Sequence, residues 1–434
     1  MGKIQNFDSM ATNPERKAAL EIAESGLLAI DTKESIRDRV TLEGGKLTIK
    51  DFSCSLETFS RVFVIAIGKC ALEASKALID VLGDKLHGGI AFDVYKPENC
   101  DLKNMECFAG THPLPSEINV DVTKKLVSLL SGLSENDLVL FVISGGGSTL
   151  LCLPEEGANC LDEGLIVKDL MGKGATIQEI NTIRKHLSLA RGGNLAKYAY
   201  PAHVVSLIFS DVLENDIEFI ASGPTFKDST TIADADEILF KYNILQSCGL
   251  DHCGLIETPK EDMYFEKVTN ILFMSSEVAL EAMQKKAEEL GFTTTVKTSK
   301  LKGEAKDVGL SIASDVSEVQ PNSVLLYAGE TTVTVKNGGK GGRNQELILS
   351  ALTGIKAGVV VSINSDGKDN SDHAGAIGDP QTVKRSQELG LNISDFLVKH
   401  SSYDFFEQVG DFIQTGLTGS NVSDFVIALR GNDR

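Results

Sequence analysis

The tract Ser144–Ser148, with the sequence SGGGS, directly follows six apolar and mostly branched residues at Leu138–Ile143. Three consecutive glycines, Gly145, Gly146 and Gly147, add no packing, so we expect them to allow a ligand to approach the backbone closely. A strand that leads through such a loop into a helix directs several N–H donors at one point. The tract therefore predicts an anion site, and a plain tight turn is the alternative.

Cations accompany two glycine-containing turns. Lys69 follows an apolar run at Arg61–Ile67 and precedes a helix, whose N-terminus favours acids, so a bound anion would balance it. The alternative is a solvated surface lysine. Asn337–Arg343, with the sequence NGGKGGR, supplies four glycines, Lys340 and Arg343 just ahead of another helix. This combination favours phosphate, and a glycine-rich hairpin turn is the alternative.

Carboxylates follow two further apolar runs. Asp366, Asp369 and Asp372 recur every third residue, and a bound cation would relieve their mutual repulsion. Mg²⁺ commonly takes one or two carboxylates together with phosphate oxygens, so we predict Asp366 and Asp369 as metal ligands. Asp211 stands directly after Val204–Ser210, where it could hold a metal or accept a proton from a hydroxyl. A merely solvated acidic loop is the alternative.

Several familiar signatures are absent. The sequence contains no G-x-x-x-x-G-K-[ST], no complete G-x-G-x-x-G, no H-E-x-x-H and no G-x-S-x-G. His112, His186 and His373 are isolated, and an isolated histidine is more often structural than a ligand. The inventory of glycine loops, cations and acids is the one that phosphoryl transfer from a nucleotide uses.

The elements that must position these residues alternate between apolar strands and amphipathic helices. This alternation predicts an α/β protein with two domains, the larger a Rossmann-like, doubly wound parallel sheet. Ligands of such sheets bind at the carboxyl ends of the strands, where Lys69, Ser144–Ser148 and Asp211 all fall. Residues 1–250 are predicted to form this domain, with a helix over Ser35–Leu42.

A smaller α/β domain is predicted over residues 262–434. The polar stretch Gln246–Phe265 separates the two and is interpreted as a linker. Ile271–Met274 and Thr331–Val335 are expected to be strands of this second domain.

Composition limits the classes of function. A net charge of −19 over 434 residues, without a basic run, argues against a nucleic-acid partner. No run approaches the roughly 20 apolar residues that a membrane span needs, so no membrane association is expected. The eight cysteines form no CxxC motif, which suits a reducing, cytoplasmic location.

The motifs together resemble the glycerate 2-kinase family, the class II glycerate kinases, whose C-terminal part is called MOFRL. The matching blocks run in family order over nearly the whole chain: IGKCALEAS, THPLPSE, LFVISGGGSTLL, GATIQEINTIRKHLSLARGGNLA, SLIFSDV, IASGPT, GETTVTV, GKGGRNQE, SDGKDNSDHAGA and TGLTGSNVSDF. The resemblance implies transfer of a phosphoryl group from ATP to the 2-hydroxyl of D-glycerate, with Mg²⁺ or another divalent cation.

The resemblance also implies roles for residues and an active site in a cleft between the domains. Lys69 and Arg343 match the family's proposed catalytic cations, and Asp211 is the third predicted catalytic residue. Substrate or phosphate binding is predicted for the SGGGS tract and for Glu330, Gly341, Gly342 and Asn344. Related chains have been called hydroxypyruvate reductases, which is the alternative function, with NAD(P)H as the cofactor. The sequence leaves a homodimer open.

Overall fold

The computed structural model describes residues 2–210, 216–335 and 338–432, which divide into two compact units. We call residues 32–210 and 216–273 the inserted unit, and residues 2–31 and 274–432 the terminal unit. Asp211 and Asn337 therefore lie outside the described residues. No helix in the described ranges is long and apolar enough to cross a membrane.

The helices, in chain order, are α1 Phe7–Met10, α2 Pro14–Ala29, α3 Thr32–Arg39, α4 Ala71–Leu82, α5 Glu117–Ser131, α6 Gly147–Leu150, α7 Cys160–Gly172, α8 Ile177–His186, α9 Asn194–Ala199, α10 Ile232–Lys241, α11 Ile244–Cys248, α12 Ser276–Glu289, α13 Ala305–Glu318, α14 Arg343–Ala351, α15 Pro380–Glu388, α16 Ile393–Val398 and α17 Ser402–Val409. The strands are β1 Val40–Glu43, β2 Lys46–Ile49, β3 Phe52–Ser55, β4 Arg61–Ile67, β5 Leu86–Asp93, β6 Met105–Ala109, β7 Asp137–Ile143, β8 His203–Phe209, β9 Val268–Met274, β10 Thr293–Leu301, β11 Ser323–Gly329, β12 Val359–Asn364, β13 Gly375–Gly378, β14 Phe412–Ile413 and β15 Asp424–Arg430.

The inserted unit is built on a sheet of six strands in the order β6-β5-β4-β7-β8-β9. The pairs from β6 to β8 are all parallel. Every residue of β7 is buried, because helices cover both faces of a doubly wound sheet and its strands therefore read as continuous apolar runs. Counted from β4, the order is 3-2-1-4-5-6, which confirms the predicted Rossmann-like, doubly wound fold. The order reverses between β4 and β7.

The terminal unit contains the other six-stranded sheet, in the order β10-β11-β15-β12-β13-β14. Strands β10 and β11 are parallel, whereas β15 runs antiparallel to both β11 and β12. Helices α13 and α14 pack on each other, and a core that includes Ile312, Leu347, Val360 and Phe405 is fully or almost fully buried. Helix α2 packs against α12, β12 and β15. This mixed sheet confirms a second α/β domain.

The limits of the two units differ from the predicted domain boundaries. Residues 2–31 pack with the C-terminal part of the chain, and residues 251–273 pack with the inserted unit. The predicted strand Ile271–Met274 exists as the end of β9, but it lies in the sheet of the inserted unit. The functional limits 1–250 and 262–434 stay a prediction.

Three further expectations about local structure were wrong or incomplete. Only Thr332 of the predicted strand Thr331–Val335 makes a bridge, to Glu304, so the described residues there form no ladder. The predicted helix at Ser35–Leu42 ends at Arg39, and β1, β2 and β3 follow as an antiparallel meander. Cys100 and Cys107 form a disulfide, although the cysteine pattern was interpreted as suited to a reducing compartment.

Candidate active site

The two loops at the point where strand order reverses touch each other. Gly68 has φ +110°, and a Cβ atom there would lie 2.5 Å from the carbonyl oxygen of Ser144. The N–H of Lys69 donates to the carbonyl oxygen of Gly145 at 3.0 Å. Because only a glycine permits this approach, the sequence Gly68-Lys69 brings the lysine directly beside the SGGGS tract.

The N-terminus of α4 already holds a carboxylate of the protein. Asp93, the last residue of β5, accepts the N–H of Leu72 at 3.0 Å and the N–H groups of Val94 and Tyr95 at 2.7 and 3.3 Å. Burial raises the pKa of Asp93 to about 6, although these hydrogen bonds oppose the shift. Asp93 thus supplies negative charge at the N-terminus of α4, a position for which a bound anion was predicted from the sequence.

Glycine is needed at different positions of the SGGGS tract for different structural reasons. A Cβ on Gly147 would lie 2.6 Å from Cβ of Ala221, so this position is required for packing. Gly146 has φ +85°, and its open side faces Cγ of Lys69 and Cδ2 of His112, at 3.4 and 3.6 Å from an added Cβ. Within the described residues, the N–H groups of Gly145 and Gly146 donate to no acceptor. These donors and Lys69 keep the tract available to an anion.

The outer end of the tract is held by a chain of side-chain hydrogen bonds. Ser148 Oγ lies 2.9 Å from Ser222 Oγ, which donates to Asn181 Oδ1 at 3.0 Å. Asn181 belongs to α8, which begins with a capping box between Thr176 and Glu179. Both segments belong to the sequence blocks that resemble the family, GATIQEINTIRKHLSLARGGNLA and IASGPT, but from the sequence they were not connected with the tract. Both segments follow parallel strands of the sheet, and this shared position was the signal that could have connected them with the tract.

The surroundings of His112 distinguish this site from ordinary surface. Desolvation, and then the positive charges of Lys69 and Arg184, lower the pKa of His112 to about 4, even though the residue as a whole is exposed. The imidazole is therefore neutral at pH 7 and adds no charge to the two cations. From the sequence, His112 was interpreted as a structural histidine, because nothing local shows the neighbours that the fold provides.

The second glycine-rich turn is closely packed within the terminal unit. An added Cβ would lie 2.1 Å from the carbonyl oxygen of Lys399 at Gly339, 2.1 Å from Oγ of Ser402 at Gly341, and about as close to Asp369 at Gly342. Lys340 lies over the ring of Tyr403, with Nζ 3.2 Å from the ring centroid.

The N-terminus of α14, like that of α4, is occupied by a carboxylate. Asp369 accepts the N–H of Asn344 at 3.0 Å and the N–H of Gln345 at 2.8 Å. The side-chain amides of both residues donate to it as well, at 3.2 Å each. Burial raises the pKa of Asp369 to about 6. The predicted phosphate position at this helix thus coincides with an internal helix cap.

Arg343 makes paired contacts with two acids. Its Nε and one terminal nitrogen lie 2.5 and 3.0 Å from the two oxygens of Asp424, and Glu330 lies 2.9 Å away. The Asp424 side chain is 4% exposed and that of Arg343 is 28% exposed. The predicted residues Arg343 and Glu330 are therefore brought together, and Arg343 neutralises a buried carboxylate.

The predicted metal ligands are not grouped in the described part of the chain. No three His, Cys, Asp or Glu side chains within residues 2–210, 216–335 and 338–432 are placed to hold a metal ion. One oxygen of Asp366 accepts the N–H of Lys368 at 2.8 Å, and Asp369 caps α14 as described. Asp211, the remaining predicted acid, lies outside the described residues.

A doubly wound sheet with N–H donors and a lysine at its switch point is the arrangement of α/β enzymes that bind phosphates and related anions. The family model of a domain of unknown function, DUF4147, matches residues 18–250, and the MOFRL family model matches residues 323–424. Curated glycerate 2-kinases align over nearly the whole chain. The chain belongs to the glycerate 2-kinase family, as its sequence motifs indicate.

Two relatives and one solved structure show the extent of the similarity. The glycerate 2-kinase of Pyrococcus horikoshii is 39% identical over 95% of this chain and 97% of its own length. The D-glycerate 2-kinase of Thermotoga maritima is 36% identical over 95% of this chain and 98% of its own. A crystal structure of glycerate kinase from Thermotoga maritima matches with a TM-score of 0.82 and 34% identity, covering 95% of this chain and 99% of that one. Two relatives from Agrobacterium vitis, 35% and 34% identical, are named as hydroxypyruvate reductases.

Proposed function

We propose that the protein transfers the γ-phosphoryl group of ATP to the 2-hydroxyl of D-glycerate, giving 2-phosphoglycerate and ADP. Kinase activity follows from the family. The observation that carries the site is the contact of Lys69 with the SGGGS tract at the switch point, beside two N–H groups without an acceptor in the described residues. The hydroxyl proton leaves to a base, for which Asp211 remains the candidate on sequence grounds.

Lys69 fits the chemistry because phosphoryl transfer is catalysed mainly by position and charge. The transferred group spreads negative charge over its oxygens, and a fixed cation with fixed N–H donors stabilises that charge without reorganisation. Arg343 is retained as a second catalytic cation on the resemblance. The role of Gly341, Gly342 and Asn344 in binding substrate stays a proposal, since their contacts described above are internal.

The divalent cation is proposed to enter with ATP. Asp369 does not fit a metal ligand, because both of its carboxylate oxygens accept hydrogen bonds from the start of α14. Asp366 is kept as the proposed ligand on sequence grounds, and one of its carboxylate oxygens accepts the N–H of Lys368. When bound, Mg²⁺ would neutralise charge on the phosphates, and Asp366 and Asp211 are the side chains proposed to face it.

One experiment decides between kinase and reductase. The protein is incubated with D-glycerate, ATP and Mg²⁺, and the phosphorylated carbon is identified by NMR, while hydroxypyruvate and NADH are tested in parallel. We expect 2-phosphoglycerate and ADP, with the rate reduced strongly in Lys69→Ala. Oxidation of NADH without any ADP would establish the reductase, whose relatives in Agrobacterium vitis carry that name.

Location and assembly are part of the proposal. We propose a cytoplasmic enzyme, and a homodimer is tested by light scattering. The disulfide between Cys100 and Cys107 bears on location, because such bonds are rare in reducing compartments. Titration of the protein purified without reductant should give eight thiols if the chain matures in the cytoplasm, and six if the disulfide is present.

A further inference from the structure

Arg184 is a partly buried cation, and its side chain takes part in none of the hydrogen bonds or ion pairs described. It lies in the last turn of α8, and its Nε atom is buried and makes no hydrogen bond. The carboxylate of Glu163 attracts Arg184 electrostatically. However, both oxygens of Glu163 already accept hydrogen bonds from Arg191, at 2.8 and 3.0 Å. One carboxylate therefore serves two guanidinium groups, and burial lowers the pKa of Arg184 accordingly.

The position of Arg184 connects it with the SGGGS tract. It follows Asn181 by three residues on α8, so both project from the same side of the helix. Asn181 reaches the tract through Ser222 and Ser148. His112, whose ring lies beside Gly146, feels the charge of Arg184 as well as that of Lys69. Arg184 thus lies on the side of α8 that carries Asn181, and it is near enough to His112, which borders the tract, for its charge to act on that ring.

The chemistry of the unpaired group favours a carboxylate. A planar guanidinium matches a carboxylate with two parallel hydrogen bonds, whereas a lysine acts as a point charge. His112, on which the charge of Arg184 acts, can donate a hydrogen bond to a hydroxyl or accept one from it. In a chain with a net charge of −19, a cation whose buried Nε atom has no acceptor needs a specific reason.

We propose that Arg184 binds the carboxylate of the acceptor substrate, while Lys69 and the N–H groups of Gly145 and Gly146 serve the phosphoryl group. This inference rests on the proposed kinase function for the identity of the substrate. Arg184 would then be the residue by which the protein selects a hydroxy acid over a simple alcohol as the acceptor. The carboxylate of the acceptor and a phosphate of the nucleotide are both oxyanions that a guanidinium can bind, so the test must distinguish the two.

The test uses the full-length protein and compares Arg184→Gln and Arg184→Lys with wild type. Binding of D-glycerate without ATP is measured by calorimetry, and KM is measured separately for D-glycerate and for ATP. Loss of a hydrogen-bonded ion pair predicts that Arg184→Gln binds D-glycerate about 10- to 100-fold more weakly, with KM for ATP changed little. Arg184→Lys keeps the charge but loses the two parallel hydrogen bonds of the guanidinium, so its affinity for D-glycerate should lie between those of wild type and Arg184→Gln. Arg37→Gln, at an exposed ion pair with Glu34 and Asp80, is the matched control.

A second measurement tests selectivity directly. Glycerol lacks the carboxylate, so wild type should phosphorylate it far more slowly than D-glycerate, and Arg184→Gln should narrow that ratio. A raised KM for ATP with unchanged D-glycerate binding would assign Arg184 to the nucleotide and overturn the proposal. Unchanged binding of both ligands in a folded variant would make Arg184 structural and also overturn it.

The failure of the kinase assignment is recognised separately. If wild type binds D-glycerate or hydroxypyruvate but transfers no phosphoryl group, and Arg184→Gln loses that binding, the carboxylate site stands and the kinase function fails. If wild type binds neither acid in calorimetry, both the site and the function are refuted.

Discussion

Arg16 and Asp379 are 363 positions apart in the chain, yet Nε of the arginine lies 2.6 Å from Oδ2 of the aspartate. Asp411 completes the arrangement, with Oδ1 at 2.8 Å from a terminal nitrogen of the same guanidinium. Arg16 is fully buried, and Thr382 also accepts a hydrogen bond from it. One side chain near the N-terminus therefore neutralises two buried carboxylates of the terminal unit.

Replacing Arg16 should destabilise the terminal unit severely. Arg16→Met leaves the carboxylates of Asp379 and Asp411 buried without their cation, a change that typically costs about 3 to 5 kcal/mol. The measurement is urea unfolding followed by circular dichroism. Lys384→Met, which removes an exposed charge paired with Glu388 at 3.8 Å, is the control and should cost below about 1 kcal/mol. Equal losses for both variants would show that burial of Arg16 has no energetic weight.

Gly146→Ala should weaken ligand binding more than it weakens the fold. The new methyl group would meet Lys69 and His112 at ordinary contact distances, so the structure accommodates it, but it covers the open N–H groups of the tract. A non-glycine residue at φ +85° costs about 1 to 2 kcal/mol. Gly157→Ala is a matched control, because it has φ +92° and nothing within 4 Å. KM for ATP and D-glycerate should rise only in Gly146→Ala, and identical kinetics in the two variants would reduce the tract to a turn.

Arg343 offers a way to separate catalysis from stability. Arg343→Ala removes the partner of buried Asp424, so the free energy of unfolding should fall by about 3 kcal/mol or more. Adding Asp424→Asn removes the uncompensated charge and should restore most of that loss. If Arg343 is a catalytic cation, kcat of the double variant should stay low, on the order of 10³-fold below wild type. Recovery of full kcat together with stability would assign Arg343 to the fold alone.

The raised pKa of Asp93 predicts a pH dependence of stability. Between its ordinary value near 4 and the folded value of about 6, the native protein holds a proton on Asp93 that the unfolded chain releases. The contribution of this group to the free energy of unfolding therefore increases as pH falls from 6 to 4. Asp93→Asn should remove that increment from urea unfolding measured across this range. A carboxyl carbon that titrates near pH 4 in NMR would contradict the prediction.

The elements that depend on residues close together in the chain could be predicted from the sequence. Strands β4 and β7 are continuous branched apolar runs, and the sequence predicts such runs wherever both faces of a strand are covered. The glycine tract after β7 and Lys69 after β4 were placed at strand ends by the same argument. The meander of β1 to β3 was missed, although Gly44-Gly45 between two short runs is a hairpin signal.

The remaining parts depend on contacts between distant residues. Asp93 and Asp369 fill the starts of α4 and α14 from 21 and 25 positions away, and no local pattern connects either acid with its helix. The same holds for Arg184, whose site forms only when α8 is placed beside the loop after β7. In the sequence, residues 2–31 look like an ordinary N-terminal helical segment. Only the fold shows that this segment packs with the C-terminal part of the chain.

The packing of α2 has a consequence for biosynthesis. The helix buries Leu20, Ile22 and Leu27 against elements that are translated much later. Synthesis of the chain from Arg16 to Asp379, 363 positions further on, takes about 20 to 70 seconds at ordinary elongation rates. The inserted unit can complete its parallel sheet on the ribosome during that interval, while the emerging N-terminal helix still lacks its partners. The nascent chain therefore carries an unsatisfied apolar surface through most of its synthesis, and co-translational chaperones are expected to bind there first.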